Sequence, residues 1–178
     1  MKYSLLLLLV LFSKCLLAQN LKLNNAIIIA QFEKEEDRYA MQAMLSELFK
    51  ANQVKVLPVM NVLKQGEDIQ HLLNDSIQAL VRQKGFDTYL VVNVRGYDRK
   101  FKVSEDTQTL AEMLETTSIY HIYRDEVTSV TFEFSFYKDG KLAERQVLRC
   151  GNVSDRDSVL KRLRKRLPKK LLPSWVAV

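Results

Sequence analysis

Glycine is scarce in this sequence of 178 residues, and the few glycines stand far apart. The five glycines occupy positions 66, 85, 96, 140 and 151. A loop that cradles a phosphate needs closely spaced glycines, because the backbone N–H groups must come near the anion. The spacing therefore argues against a dinucleotide site and against a P-loop nucleotide site.

Cysteine and histidine are also rare, with two of each. His71 is expected on the polar side of a helix, and His121 has no cysteine or second histidine near it at ligand spacing. Cys150 falls in an apolar strand pattern and is interpreted as a small buried residue. No Gly-x-Ser-x-Gly elbow is present. We therefore predict no catalytic, cofactor-binding or metal-ligating residue, and we expect a protein that is not an enzyme.

A short apolar run follows the first residues of the chain. Lys2 precedes an unbroken hydrophobic stretch of eight residues from Leu5 to Phe12, and Leu16-Leu17-Ala18 offers a small residue for cleavage. A membrane-spanning helix needs about 20 apolar residues, so this run is too short to span a bilayer. We predict a signal peptide over 1–18, an exported protein of the periplasm or medium, and a single α/β domain over 19–178.

Cys15 leaves a rival interpretation open, since bacterial lipoproteins are cleaved before a cysteine that follows small residues. Lys14 precedes Cys15 here, which fits that pattern badly. Removal of 1–18 would take away Lys2 and Lys14, so the formal charge would fall from +6 to +4, with 25 basic against 21 acidic residues. Cys150 would then be the lone cysteine, which excludes an intramolecular disulfide.

The first half of the domain alternates apolar runs with helical patterns. The β-branched run Ala26–Ala30 predicts a strand buried on both faces. A helical stripe follows over Met41–Phe49, then a strand over Val54–Met60, a helix over Ile69–Val81 and a strand over Tyr89–Val94. This β-α-β-α-β order predicts right-handed crossovers and a parallel sheet.

The second half indicates an antiparallel β-meander. A loop with a short helix is predicted over Ser104–Leu114, and a strand over Ile119–Val127. Val130–Phe136 alternates strictly, which predicts a strand with one buried face. The turn signal Asp139-Gly140 joins it to a partner strand over Leu142–Cys150. The predicted fold class is α/β with an α+β tail, one mixed sheet packed with helices.

A basic amphipathic helix is predicted to open at Ser154 and to stop at Pro168. Such a helix can lie on an anionic membrane or bind an acidic polymer. The simpler interpretation is that its leucine stripe packs on the sheet and its cations are solvated. No nucleic-acid ligand is predicted, because no basic motif interleaved with aromatic residues is present. The predicted anion or surface contacts are Arg156, Lys161, Arg162, Arg164, Lys165, Arg166, Lys169 and Lys170.

A second candidate site comes from the strand ends. Open α/β sheets bind ligands beyond the carboxyl ends of their parallel strands. Gln31, Asn61, Arg95 and Tyr97 follow or close the three predicted parallel strands. We therefore predict that these four residues meet in a ligand site at that edge of the sheet.

This order of elements resembles the small periplasmic α/β domains in the N-terminal part of TolB and in lipoprotein activators of penicillin-binding proteins. The resemblance covers most of the chain after residue 18 and is one of pattern. It implies a binding or scaffolding module of the bacterial cell envelope, and it transfers no functional residue. The stretches that carry it are Ala26–Phe32, Met41–Phe49, Val54–Met60, Phe86–Val94 and Val130–Gly140.

Three functional hypotheses remain open at this point. The first is a non-enzymatic accessory module that binds another envelope protein. The second is an electrostatic binder of anionic lipid or polysaccharide through residues 156–170, with peripheral membrane contact. The third is an enzyme whose site is assembled from scattered residues. The sequence predicts no cofactor and names neither the partner nor the oligomeric state.

Overall fold

Five strands form one mixed sheet in the computed structural model, which describes residues 22–64 and 66–176. The strands are β1 (Asn25–Ala30), β2 (Lys55–Pro58), β3 (Thr88–Tyr97), β4 (Ser129–Lys138) and β5 (Lys141–Gly151). Their order in the sheet is β2-β1-β3-β4-β5. β1 pairs in parallel with β2 and β3, whereas β4 pairs antiparallel with β3 and β5. The predicted mixed α/β sheet is confirmed, while the predicted signal peptide and Cys15 lie outside the described residues.

Helices cover both faces of this sheet. The described residues form α1 (Glu35–Ala51), α2 (Asp75–Gln83), α3 (Leu110–Glu115), α4 (Arg156–Lys170) and α5 (Leu172–Trp175). Short 3₁₀ turns occupy Val59–Asn61 and Ile69–Leu73. Within the described ranges, no helix has the length and apolar character that a membrane span requires.

Trp175 lies at the centre of the face covered by α1, α4 and α5. Its ring is fully buried and contacts Phe49 of α1 and Phe134 and Phe136 of β4, with ring centroids 6.2, 5.4 and 4.7 Å away. Its backbone oxygen also accepts a 2.6 Å hydrogen bond from the Leu23 N–H. Trp175 therefore joins the two ends of the described chain to the sheet.

The opposite face has an apolar half and a polar half. Ile27 and Ile29 of β1 belong to the apolar half, which packs against α2, α3 and the 3₁₀ turns. Residues 98–109, here called the covering loop, reach over β4 and β5. The buried Arg145 side chain of β5 donates there to the Ser104 and Asp106 carbonyls. This explains why every residue of β4 from Ser129 to Tyr137 is buried. The prediction of one buried face for this strand is wrong, because its polar residues are enclosed by the covering loop.

Two other predicted elements differ from the structure. The predicted helix over Ile69–Val81 is divided at Asn74, whose backbone is extended at φ −66° and ψ 132°. The predicted strand over Ile119–Val127 is irregular chain. The outer strands of the sheet are β2 and β5, and this segment pairs with neither. Ile122 fixes this chain instead, through its buried side chain and a 3.3 Å hydrogen bond from its N–H to the Asp37 carboxylate.

The basic helix α4 begins and ends later than the sequence predicts. Asp155, not Ser154, caps its start, since the Asp155 carboxylate accepts a 2.6 Å hydrogen bond from the Ser158 N–H. Pro168 lies inside the last turn and does not end the helix. The turn closes around it because the Leu171 N–H donates to the Leu167 carbonyl.

Replacement of Trp175 tests the packing of this core. Trp175→Ala is expected to lower the free energy of unfolding by about 3–5 kcal/mol, because it leaves a large cavity among three aromatic rings. Trp175→Phe is the matched control, since no described residue accepts a hydrogen bond from the Trp175 Nε1. Urea unfolding followed by circular dichroism measures both. Equal losses for the two variants would contradict this account.

Candidate functional site

A cavity of about 610 Å³ opens beyond the carboxyl ends of β1 and β2. It forms there because the chain leaving β1 enters α1 on one face, whereas the chain leaving β2 crosses to the other face. Ile29, Phe32, Val59 and Leu63 supply apolar surface to its lining. We call it the strand-end cavity.

Two buried glutamines place unpartnered acceptors in the wall of the strand-end cavity. Gln31 is 5% exposed and Gln42 is 2% exposed, and among the residues that the structure describes no donor reaches the Oε1 atom of either. The Gln31 Nε2 donates to the Leu114 carbonyl at 3.4 Å, which orients that amide. A buried acceptor left without a donor costs about 1–3 kcal/mol. The wall therefore holds two buried acceptors without donors, and a ligand N–H or O–H group that reached them would satisfy them.

The charged side chains of the strand-end cavity balance in sign. Arg38 and Lys64 supply two positive charges, and Glu35 and Glu67 supply two negative ones. The Arg38 Nη1 donates to the Phe32 and Glu33 carbonyls at 3.0 and 3.2 Å, which ties the start of α1 to the chain after β1. The cavity therefore favours no strongly charged ligand.

Two of the exposed hydrophobic side chains line this cavity, and another follows a lining residue closely in the sequence. Tyr39 and Met60 are exposed and line it. Ile119, which is 79% exposed, and Tyr120 come directly after Thr117 and Ser118, and Thr117 lines the cavity. An exposed apolar patch beside a cavity is typical of an interaction surface.

The structure brings together two of the four residues predicted for a strand-end site. Gln31 and Asn61 line the strand-end cavity, whereas Arg95 and Tyr97 do not. β3 continues through Tyr97 with a β-bulge between Val94 and Gly96, so the two residues lie within the strand. The Arg95 Nε lies 3.5 Å from the Glu133 carboxylate, and the Tyr97 hydroxyl donates to the His121 carbonyl at 2.8 Å.

Gln42 is the site residue that sequence reasoning missed. It stands three residues before Leu45 and seven before Phe49, on the buried side of α1. A polar residue at that position of an apolar stripe was the available signal. Arg38 was missed as well, because its role depends on carbonyls that only the folded chain brings near it.

Seven of the eight basic residues predicted for α4 fall into two groups. Arg156 and Arg164 face α1 and form ion pairs there: the Arg156 Nε lies 2.8 Å from the Asp37 carboxylate, and the Arg164 Nη2 lies 2.7 Å from that of Glu47. Lys161 is exposed and lies apart from both groups. The remaining five, Arg162, Lys165, Arg166, Lys169 and Lys170, line a separate cleft.

Glu133 and Arg145 form a buried ion pair beneath the covering loop. The Arg145 Nε lies 3.6 Å from the Glu133 carboxylate, and both side chains are 3% exposed. The Arg145 Nη1 also donates to the Ser104 and Asp106 carbonyls at 3.4 and 2.8 Å. The pair therefore fastens the covering loop to the sheet.

Cys150, His71 and His121 lie in three different segments of the fold. Cys150 is fully buried, and burial raises the pKa of its thiol to about 11. His71 is exposed, and the His121 Nε2 lies 3.9 Å from the exposed Glu33 carboxylate. Within residues 22–64 and 66–176, no group of three histidine, cysteine or acidic side chains is placed to hold a metal ion.

Arg145→Leu tests the buried ion pair. It should lower the free energy of unfolding by about 3 kcal/mol, since the Glu133 carboxylate keeps only the half-exposed Arg95 as a partner. The double variant Arg145→Leu/Glu133→Leu should lose less, because no uncompensated charge remains buried and Arg95 is open to solvent. Urea unfolding of both variants measures this, and an equal or larger loss in the double variant would refute the argument.

The Cys150 thiol is expected to be nearly inert in the folded protein. A thiol with a pKa of about 11 is almost fully protonated at neutral pH, and only the thiolate is nucleophilic. In the chain without residues 1–18, a disulfide reagent at neutral pH should react about a hundredfold faster in urea than in buffer. Equal rates in the two solutions would contradict the buried position.

A scan against protein-family models and a search of curated proteins gave no match. Among solved structures, the chain is similar to the lipoprotein GNA1162 from Neisseria meningitidis, at 12% identity and a TM-score of 0.45, over 83% of this chain and 99% of that one. It is also similar to PelC from Paraburkholderia phytofirmans, solved as a dodecamer, at 10% identity and a TM-score of 0.44, over 87% of this chain and 90% of that one. The resemblance to TolB stays a prediction.

Proposed function

We propose that this protein is a non-enzymatic binding module that holds a short segment of a partner polypeptide in the strand-end cavity. The observation that carries the proposal is the pair of buried, unpartnered Oε1 atoms of Gln31 and Gln42 in the cavity wall. The partner is expected in the cell envelope, since residues 1–18 predict export.

A polypeptide supplies the groups that this cavity lacks. Every residue except proline carries a backbone N–H donor, and two such donors would satisfy the Gln31 and Gln42 acceptors. The apolar surface of Ile29, Phe32, Val59 and Leu63 suits one hydrophobic side chain of the partner. A volume of about 610 Å³ lies within the range of ligand-binding pockets.

The surface around the cavity supports a protein partner over a small free ligand. Tyr39 and Met60 line the cavity yet are 61% and 40% exposed, so much of their surface would remain in water if only the cavity were filled. Tyrosine and methionine are enriched in protein interfaces, where they bury large areas. A partner that covers them would gain apolar contact beyond the cavity itself.

Gln42→Leu separates binding from folding. The variant removes one acceptor and keeps a side chain of similar size, and no residue in the described part of the chain donates to the Gln42 Oε1. Its free energy of unfolding should therefore stay within about 1 kcal/mol of the original. Its affinity for the partner segment should fall about tenfold or more, because a partner N–H would be buried without an acceptor.

The measurement begins with capture from envelope extract by the tagged chain without residues 1–18. Peptides that tile the captured protein are then titrated against the original chain, Gln42→Leu and Gln83→Leu. Gln83 is exposed at the end of α2, so Gln83→Leu makes the same chemical change away from the cavity. A peptide that binds Gln42→Leu as tightly as Gln83→Leu would refute the proposal. Since the charges in the cavity balance, binding should depend weakly on salt.

A further inference from the structure

A shallow cleft of about 440 Å³ lies between the second half of α4 and the end of β5. Its basic lining residues are Arg162, Lys165, Arg166, Lys169 and Lys170, and its other lining residues are Gly151 and Asn152. The lining thus contains five positive charges and no carboxylate. We call it the basic cleft. None of its residues lines the strand-end cavity.

The five cations of the basic cleft lack the ion pairs that other cations of α4 make. Arg156 and Arg164, on the side facing α1, are paired with carboxylates of that helix. In the part of the chain that the structure describes, no salt bridge includes any of the five cleft residues. Within the described ranges, no acidic side chain therefore compensates their charge at ion-pair distance.

Helix electrostatics do not account for this cluster. The negative end of the helix dipole favours Lys169 and Lys170 in the last turn, but the effect fades beyond one turn and does not reach Arg162. Arg162 and Arg166 stand four residues apart, as do Lys165 and Lys169, and like charges at that spacing destabilise a helix. A bound anion would relieve this repulsion.

The shape and chemistry of the cleft fit an oxyanion. The Arg166 Nη1 donates to the Arg149 carbonyl at 2.6 Å, which holds that guanidinium in place beside the cleft. Arginine binds phosphate oxygens through paired hydrogen bonds, and lysine adds a mobile point charge. Gly151 leaves the backbone at the end of β5 open to close approach, since nothing lies within 4 Å of where its Cβ would be.

The surroundings of the cleft favour a soluble ligand over a membrane. Helices that lie on membranes insert large apolar side chains beside their cations. The exposed large hydrophobic residues of the described chain lie in other elements, and none lies in α4. The apolar stripe of α4 (Val159, Leu163 and Leu167) is buried against the sheet. We propose that the basic cleft binds a soluble molecule that carries clustered phosphate groups.

Tripolyphosphate titrated into the chain without residues 1–18, followed by calorimetry, tests this site. Lys165→Glu/Lys169→Glu reverses two exposed cations of the cleft and should weaken binding about tenfold or more. Lys161→Glu/Lys102→Glu makes the same change in net charge at exposed positions outside the cleft, and should weaken binding less than about threefold. Urea unfolding confirms that both variants are folded. Binding to the original chain should weaken steeply as salt rises from about 0.05 to 0.3 M.

Three results would overturn the proposal. The first is no measurable binding of tripolyphosphate by the original chain. The second is an equal loss of affinity in both double variants, which would show an effect of net charge alone. The third is cosedimentation with phosphatidylglycerol vesicles without tripolyphosphate binding, which would assign the cleft to a membrane surface. The proposal is supported if the Lys161→Glu/Lys102→Glu variant keeps its affinity for tripolyphosphate and the Lys165→Glu/Lys169→Glu variant loses it.

Discussion

The burial of β1 on both faces is the constraint on which the rest of the structure depends. Ile27 and Ile29 face one side and Ile28 faces the other, and β1 pairs in parallel with a strand on each edge. Parallel strands need crossovers, and a strand with two apolar faces needs cover on both. The crossovers after β1 and β2 therefore lie on opposite faces. Their divergence opens the strand-end cavity, so the proposed binding site follows from the same residues as the core.

Much of the fold could be predicted because its signals are local. The β-branched run of β1, the stripe Met41–Phe49 and the turn Asp139-Gly140 each indicate their structure within a few residues, and both turn residues have the positive φ that a tight hairpin favours. The wrong predictions share another cause. The strand expected over Ile119–Val127 needs a free sheet edge, and the full burial of β4 needs the covering loop. Neither can be inferred from the pattern of the segment itself.

The candidate sites show the same division. Gln31 and Asn61 could be placed at one edge of the sheet because parallel strands end together. Arg95 and Tyr97 could not be excluded, since the continuation of β3 beyond Val94 depends on pairing with β4. The basic residues of α4 could be counted, but their division between α1 and the basic cleft depends on how two helices lie against each other. The position of Gln42 in a cavity wall could not be inferred from the sequence, because it depends on how the helix and the strand ends pack together.

Gly96 has a consequence for the electrical environment of the sheet. It occupies the bulge of β3 at φ 150°, and a Cβ there would lie 2.7 Å from the Phe101 ring. Phe101 belongs to the covering loop, which encloses the Glu133–Arg145 pair. Any side chain at position 96 would therefore force that ring to move. The lack of even a methyl group at position 96 thus lets the covering loop lie close over two buried charges, whose attraction is stronger where water is excluded.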